Sequence, residues 1–100
     1  MDIQHNEEKK RFWVEVDGYT AHVAYDIHDG GLDIRHTIVP KEIGGQGIAS
    51  ALVKAAYDYA RCHQLKPVAT CSYAVTWLKR HPEYEGEVGA DFGGSGTCAL

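Results

Sequence analysis

The chain has 100 residues, 44% of them hydrophobic, and a formal net charge of -4 at pH 7. That length holds one small domain and not two. All ten Lys and Arg lie before His81 and form no basic stripe, which argues against a nucleic-acid partner. No run approaches the ~20 apolar residues of a membrane helix, and the polar opening MDIQHNEEKKRFW has no apolar signal region. Cys62, Cys71 and Cys98 show no CxxC spacing, and the histidines show no metal-ligand spacing, so no metal is expected. A sparse, odd cysteine set suits a reducing compartment. The expectation is a cytoplasmic protein with no membrane partner.

Residues 1–10 are charged and aperiodic, and read as a flexible N-terminus. From Arg11, Phe12, Val14 and Val16 alternate with Trp13, Glu15 and Asp17. After Asp17-Gly18 the alternation resumes with Ala21, Val23, Tyr25 and Ile27. An Asp-Gly pair between alternating runs predicts a hairpin. Asp29-Gly30-Gly31 predicts a second turn. The run LDIRHTIV predicts a third strand with Leu32, Ile34, His36 and Ile38 on one face, ended by Pro40. From Gln46 to His63 the period becomes helical. Ser50, Lys54, Asp58 and Arg61 make one polar stripe, and the apolar remainder predicts a largely buried helix that includes Cys62. Val68–Tyr73 reads as a fourth strand, parallel to the third through a crossover. A short helix to about Arg80 follows, stopped by Pro82. Residues 86–100 are glycine-rich and read as a disordered tail, leaving residues 11–85 as the domain. The fold class is mixed α/β: antiparallel strands, then a β-α-β crossover and a short helix.

The stretch VPKEIGGQGIAS places Gly44, Gly45 and Gly47 between a strand and the start of the buried helix. Glycine weakens a helix start unless the backbone must be bare. Helix N-termini carry unpaired N–H groups and partial positive charge, so glycines there let an anion approach, typically a phosphate. A P-loop is excluded, since Ile48-Ala49 follows Gly47 where Lys-Ser/Thr is needed. The dinucleotide fingerprint GxGxxG fits poorly, because Ser50 stands at its last glycine.

Glu42-Ile43-Gly44-Gly45-Gln46-Gly47 resembles motif A of the GCN5-related N-acetyltransferases, Gln/Arg-x-x-Gly-x-Gly/Ala, with Glu42 at the first position. HTIVP, GGQGIASALVKAA, CSY and HPEY occur in the order and spacing of that family's small single-domain members, over about residues 11–84. Gly44 stands where Arg is commoner, and Ala69 where Pro often precedes the x-Cys. The resemblance implies acetyl-CoA in a V-shaped gap between the third and fourth strands read above. The pantetheine arm would pair with the backbone of Ile38 and Val39. The pyrophosphate would lie on the loop and first helical turn formed by Gly44, Gly45, Gln46, Gly47, Ile48, Ala49 and Ser50.

Some members of that small group are proposed to use a cysteine, and Cys71 is the matching residue. Its alternative reading is a small buried hydrophobe. His36 reads either as a base or orienting group for the acceptor amine, or as a core histidine with a satisfied hydrogen bond. Tyr73 reads as a proton donor to the departing CoA thiolate, as in larger relatives of the family, or as a strand-end aromatic. The implied activity is acetyl transfer from acetyl-CoA to an unidentified amine, a small molecule or a protein lysine, either directly or through Cys71. The alternatives are a module that binds CoA or acyl-CoA without turnover and an interaction domain with no CoA site.

Overall fold

A computed structural model describes residues 2–89. It contains strands β1 (Gln4–Asn6), β2 (Arg11–Val16), β3 (Tyr19–His28) and β4 (Gly31–Ile38), helix α1 (Ile48–Cys62), strand β5 (Lys66–Ala69), helix α2 (Ser72–Arg80) and strand β6 (Glu87–Val88). Short 3-10 turns occupy Lys41–Ile43 and Pro82–Tyr84. The six strands form one sheet in chain order. β1 to β4 are antiparallel, and β4, β5 and β6 are parallel.

Both hairpins turn where Asp-Gly stands. Asp17 and Gly18 have φ of 52° and 82°, and Asp29 and Gly30 have 52° and 75°. Two consecutive left-handed residues match the twist of the flanking strands. The pairings Val16 with Tyr19 and His28 with Gly31 fix the register on either side.

β4 departs from its expected alternation. Ala24 pairs with His36 and Tyr25 with Ile34, which leaves Arg35 as an extra residue, a β-bulge. Leu32 and Ile34 face the core as expected. Past the bulge the faces exchange: Thr37 is buried, whereas His36 and Ile38 are exposed. The alternation put His36 on the face of Ile34, toward the core or the cleft; the bulge turns it to the opposite face.

α1 and α2 cover the same face. Leu52, Val53, Ala56 and Tyr57 of α1 share one core with Val14, Val23, Leu32 and Ile34, and with Val75, Trp77 and Leu78 of α2. Full burial of each such aliphatic side chain is worth ~1.5–3 kcal/mol. The Tyr57 hydroxyl donates to Val68 O at 2.7 Å, and Trp77 Nε1 donates to Ser50 Oγ at 2.9 Å, so the polar tips of both large rings are satisfied. Tyr84 caps the assembly by donating to Asp58 Oδ1 at 2.6 Å, while Lys54 Nζ holds Asp58 Oδ2 at 2.8 Å.

Four further expectations are corrected. Residues 4–6 are a strand, because His5 stacks on Phe12 at 3.9 Å and lies 2.6 Å from the Tyr25 hydroxyl. Cys62 is exposed, one turn beyond Asp58 on the polar stripe. The fourth predicted strand is shorter, ending at Ala69, so Tyr73 belongs to α2. Glu87–Val88 extends the sheet beside β5, with Gly89 N–H donating to Ala69 O at 2.7 Å. The rest of the predicted tail, including Cys98, lies outside the described residues.

Candidate functional site

β4 and β5 pair only from Gly31 with Lys66 to Ile34 with Ala69. The Thr70 and Cys71 N–H groups then converge on Ile34 O at 3.0 and 3.1 Å. The chain turns into α2 at Ser72, while β4 runs on to Ile38. Among the described residues, the last residues of β4 therefore have no strand on the side away from β3. The parting begins at the Arg35 bulge, where the expected gap between these two strands lies.

The glycine loop closes one end of this gap. Ile43 is fully buried and anchors the 3-10 turn after Pro40. Gly44 N–H donates to Lys41 O at 3.1 Å, so that one donor is committed to the turn. Gly45 and Gly47 have φ of 79° and 76°, and a Cβ built on either would meet nothing within 4 Å. Space alone would admit a side chain there; the left-handed backbone disfavours it. Gly47 caps α1 with no side-chain hydrogen bond, and the first backbone bond of the helix is Ala51 N–H to Gly47 O at 3.0 Å. The N–H groups of Ile48, Ala49 and Ser50 precede that bond, at the positive end of the helix dipole.

Val39, Gly44, Gly45, Gly47, Ile48, Ala49 and Tyr73 line a cleft of about 450 Å³. Tyr73 reaches it from the first turn of α2, on the far side of the parting. Gln46 is exposed in the loop. Ser50 is half-buried, with its hydroxyl oxygen occupied by Trp77. Ile38 lies at the end of β4 with 36% of its surface exposed.

Cys71 is fully buried at the N-cap of α2, and its Sγ lies 3.4 Å from Thr37 Oγ1. Cys62, by contrast, is a free cysteine on the surface. The structure thus brings Tyr73 to the glycine loop and Cys71 to Thr37. It leaves His36 on the other side of the sheet.

Sequence reasoning missed two residues here. Thr37 faces inward only because of the bulge, which has no local sequence signal. Asp33 is 1% exposed and accepts from Thr70 Oγ1 at 2.9 Å and from Arg35 at 3.2 Å, with His28 Nε2 also at 3.2 Å. Its signal was available: aspartate is depleted in strands, so one between Leu32 and Ile34 needs partners. The hydrogen bond with Asp33, reinforced by Asp29, raises the pKa of His28 above 6.5. At the opposite end of β3, partial burial, with Arg11 and His36 nearby, lowers that of His22.

Comparison with known proteins agrees with this architecture. Protein NATD1 of Xenopus tropicalis is 32% identical over 83 residues, covering 80% of this chain and 76% of the relative. The human protein NATD1 is likewise 32% identical over 83 residues, covering 80% and 74%. The solution structure of a GCN5-like protein from Staphylococcus aureus superposes with a TM-score of 0.69 at 29% identity, covering 95% of each chain. The family profile of the GCN5-related N-acetyl-transferases matches residues 11–88, and the chain belongs to that family.

Proposed function

We propose that the protein transfers an acetyl group from acetyl-CoA to a primary amine, with the donor held in the cleft between β4 and α2. The observation that carries this reading is the bare start of α1. Two left-handed glycines and an uncapped helix N-terminus open onto a cleft of about 450 Å³. The N–H groups of Ile48, Ala49 and Ser50 suit the diphosphate. The unpaired edge of β4 near Ile38, with Val39, suits the amide-bearing arm, which can hydrogen-bond as an added strand does.

Acetyl-CoA supplies an activated thioester. The amine must be neutral to attack it, so a base or a water path must take its proton. His36 lies at the bulge on the face opposite the cleft-lining Tyr73, which favours the water path over a direct role for the imidazole. The departing thiolate needs a proton, and the Tyr73 phenol lines the same cleft. Transfer through Cys71 requires its thiolate, so this route is open only to the reduced protein. CoA binding without turnover is the second reading, because Tyr73 is the one ionisable side chain among the described residues that line the cleft.

The test uses reduced full-length protein with acetyl-CoA and a panel of amines. Release of free thiol that depends on the amine supports transfer. A ligand at ~100 times its Kd adds ~2.7 kcal/mol of stability, so a raised melting point without thiol release selects the binding module. Neither response would refute the CoA site. A mass increase on the Cys71 peptide that disappears on adding amine, with loss of turnover in Cys71→Ala, selects the covalent route. Unchanged turnover in Cys71→Ala selects direct transfer.

A further inference from the structure

Both helices pack on one face of the sheet, and among the described residues the opposite face of β1 to β4 is bare of helices. On that face Trp13 pairs across the strands with Gln4 and His22, and His22 pairs with Ile38. Trp13 and Ile38 are each 36% exposed. Arg11 and Glu15 flank Trp13 at two-residue spacing on the same face, so the strand reads positive, aromatic, negative. Neither makes an ion pair among the described residues. Beside Trp13 lies a hollow of about 270 Å³, walled by Asn6, Lys9, Arg11, Thr20 and His22.

We infer that this face binds a second copy of the chain, sheet against sheet, about a two-fold axis running across the strands along the row Trp13, His22, Ile38. The pattern is self-complementary under that operation. Groups on the axis meet their own copies, and these are an indole, an imidazole and an isoleucine. Groups two residues to either side exchange, so Arg11 faces the partner's Glu15 and Glu15 faces the partner's Arg11. The other in-plane axis, parallel to the strands, would set like charges opposite each other. Each indole then fills the hollow beside the other. A two-fold contact must use one patch on both subunits, and this patch carries both halves of each match. Two sheets pack in this way at a spacing of ~10 Å. The row ends at Ile38, next to the cleft, but Arg11, Trp13 and Glu15 are not among the residues that line it, so the contact can be altered at those three positions without changing the cleft lining.

Sedimentation equilibrium of the full chain from ~5 to ~500 µM tests this, a range suited to an interface smaller than the usual ~800 Å² per partner. The wild-type chain should self-associate, and Trp13→Ser should be monomeric throughout. Arg11→Glu or Glu15→Arg alone should weaken the dimer by about tenfold, since each sets like charges face to face. Mixing those two single variants should give a heterodimer, and combining both changes in one chain should restore self-association. This reciprocal rescue does not depend on how well Trp13→Ser folds. A wild-type chain that stays monomeric would give the face to some other partner and overturn the inference. A dimer indifferent to both charge changes would overturn it equally.

Discussion

The two halves of β4 share one strand and have opposite fates. From Gly31 to Ile34 the strand is paired on both sides, and its buried Asp33 is hydrogen-bonded to Thr70 and Arg35. From His36 onward it is paired with β3 alone among the described residues, and the cleft begins just past its end, at Val39. The Arg35 bulge separates them. If the proposed donor site is right, stability and binding belong to different halves, and a substitution in one half should leave the property of the other intact.

The largest effect should come from the paired half. Asp33→Ala removes the acceptor of Thr70, Arg35 and His28, and should cost about 3 kcal/mol in urea unfolding, within the range for broken buried ion pairs. Its CoA affinity, measured on folded protein, should be unchanged. An affinity loss matching the stability loss would merge the two halves.

Gly47→Val attacks the open half. A branched side chain at φ 76° is strained and projects into the approach to the helix start. CoA affinity by calorimetry should fall ~100-fold, equivalent to ~2.7 kcal/mol, with a stability loss of only ~1–2 kcal/mol. Normal binding by folded Gly47→Val would remove the anion site from that loop.

Trp77→Phe is smaller. It keeps an aromatic ring in the core and loses the bond to Ser50, which should cost ~1 kcal/mol in thermal unfolding. A much larger loss would mean that the indole also positions the first turn of α1.

The smallest effects are those of pH, and they have opposite signs at the two ends of β3. His28, opposite Gly31, has a raised pKa. The folded protein holds its proton more tightly than the unfolded chain does. Its contribution is complete below pH 6.5 and is lost as pH rises through the raised value. His22, opposite Ile38, has a lowered pKa because of partial burial, Arg11 and His36. Its contribution is present above pH 6.5 and is lost as pH falls through the lowered value. Urea midpoints against pH should therefore lose part of their alkaline slope in His28→Gln and part of their acid slope in His22→Gln. The reverse assignment would contradict these environments.

The paired half was the more legible in the sequence. Asp17-Gly18 and Asp29-Gly30 announced both hairpins, and the stripe Ser50, Lys54, Asp58, Arg61 announced α1, because turn chemistry and periodicity are local. The bulge was not legible. A single inserted residue, Arg35, reverses every side chain after it, and nothing distinguishes it from an ordinary strand residue until β3 is paired. His36 was therefore placed inward and Thr37 passed over. β1 and β6 escaped notice for a related reason. They are short and polar, and they exist through contacts made elsewhere: His5 on Phe12, and Gly89 on Ala69. In the candidate site, the glycines and Tyr73 were legible as residues, but the commitment of Gly44 N–H to Lys41 depends on a turn that no pattern marked.

Because the strands are ordered in the sheet as they are in the chain, each antiparallel strand finds its neighbour after one tight turn. The exceptions are the two parallel strands: β5 reaches β4 only after residues 39–65 have been laid down, and β6 reaches β5 only after residues 70–86. Loop-closure entropy makes such a junction slower than a hairpin. Assembly should therefore proceed from a quickly formed meander to a later crossover, and the cleft takes shape only with that second event. Ligand capture then reports the last step of folding, and a chain stalled before it would hold most of its sheet and none of its binding.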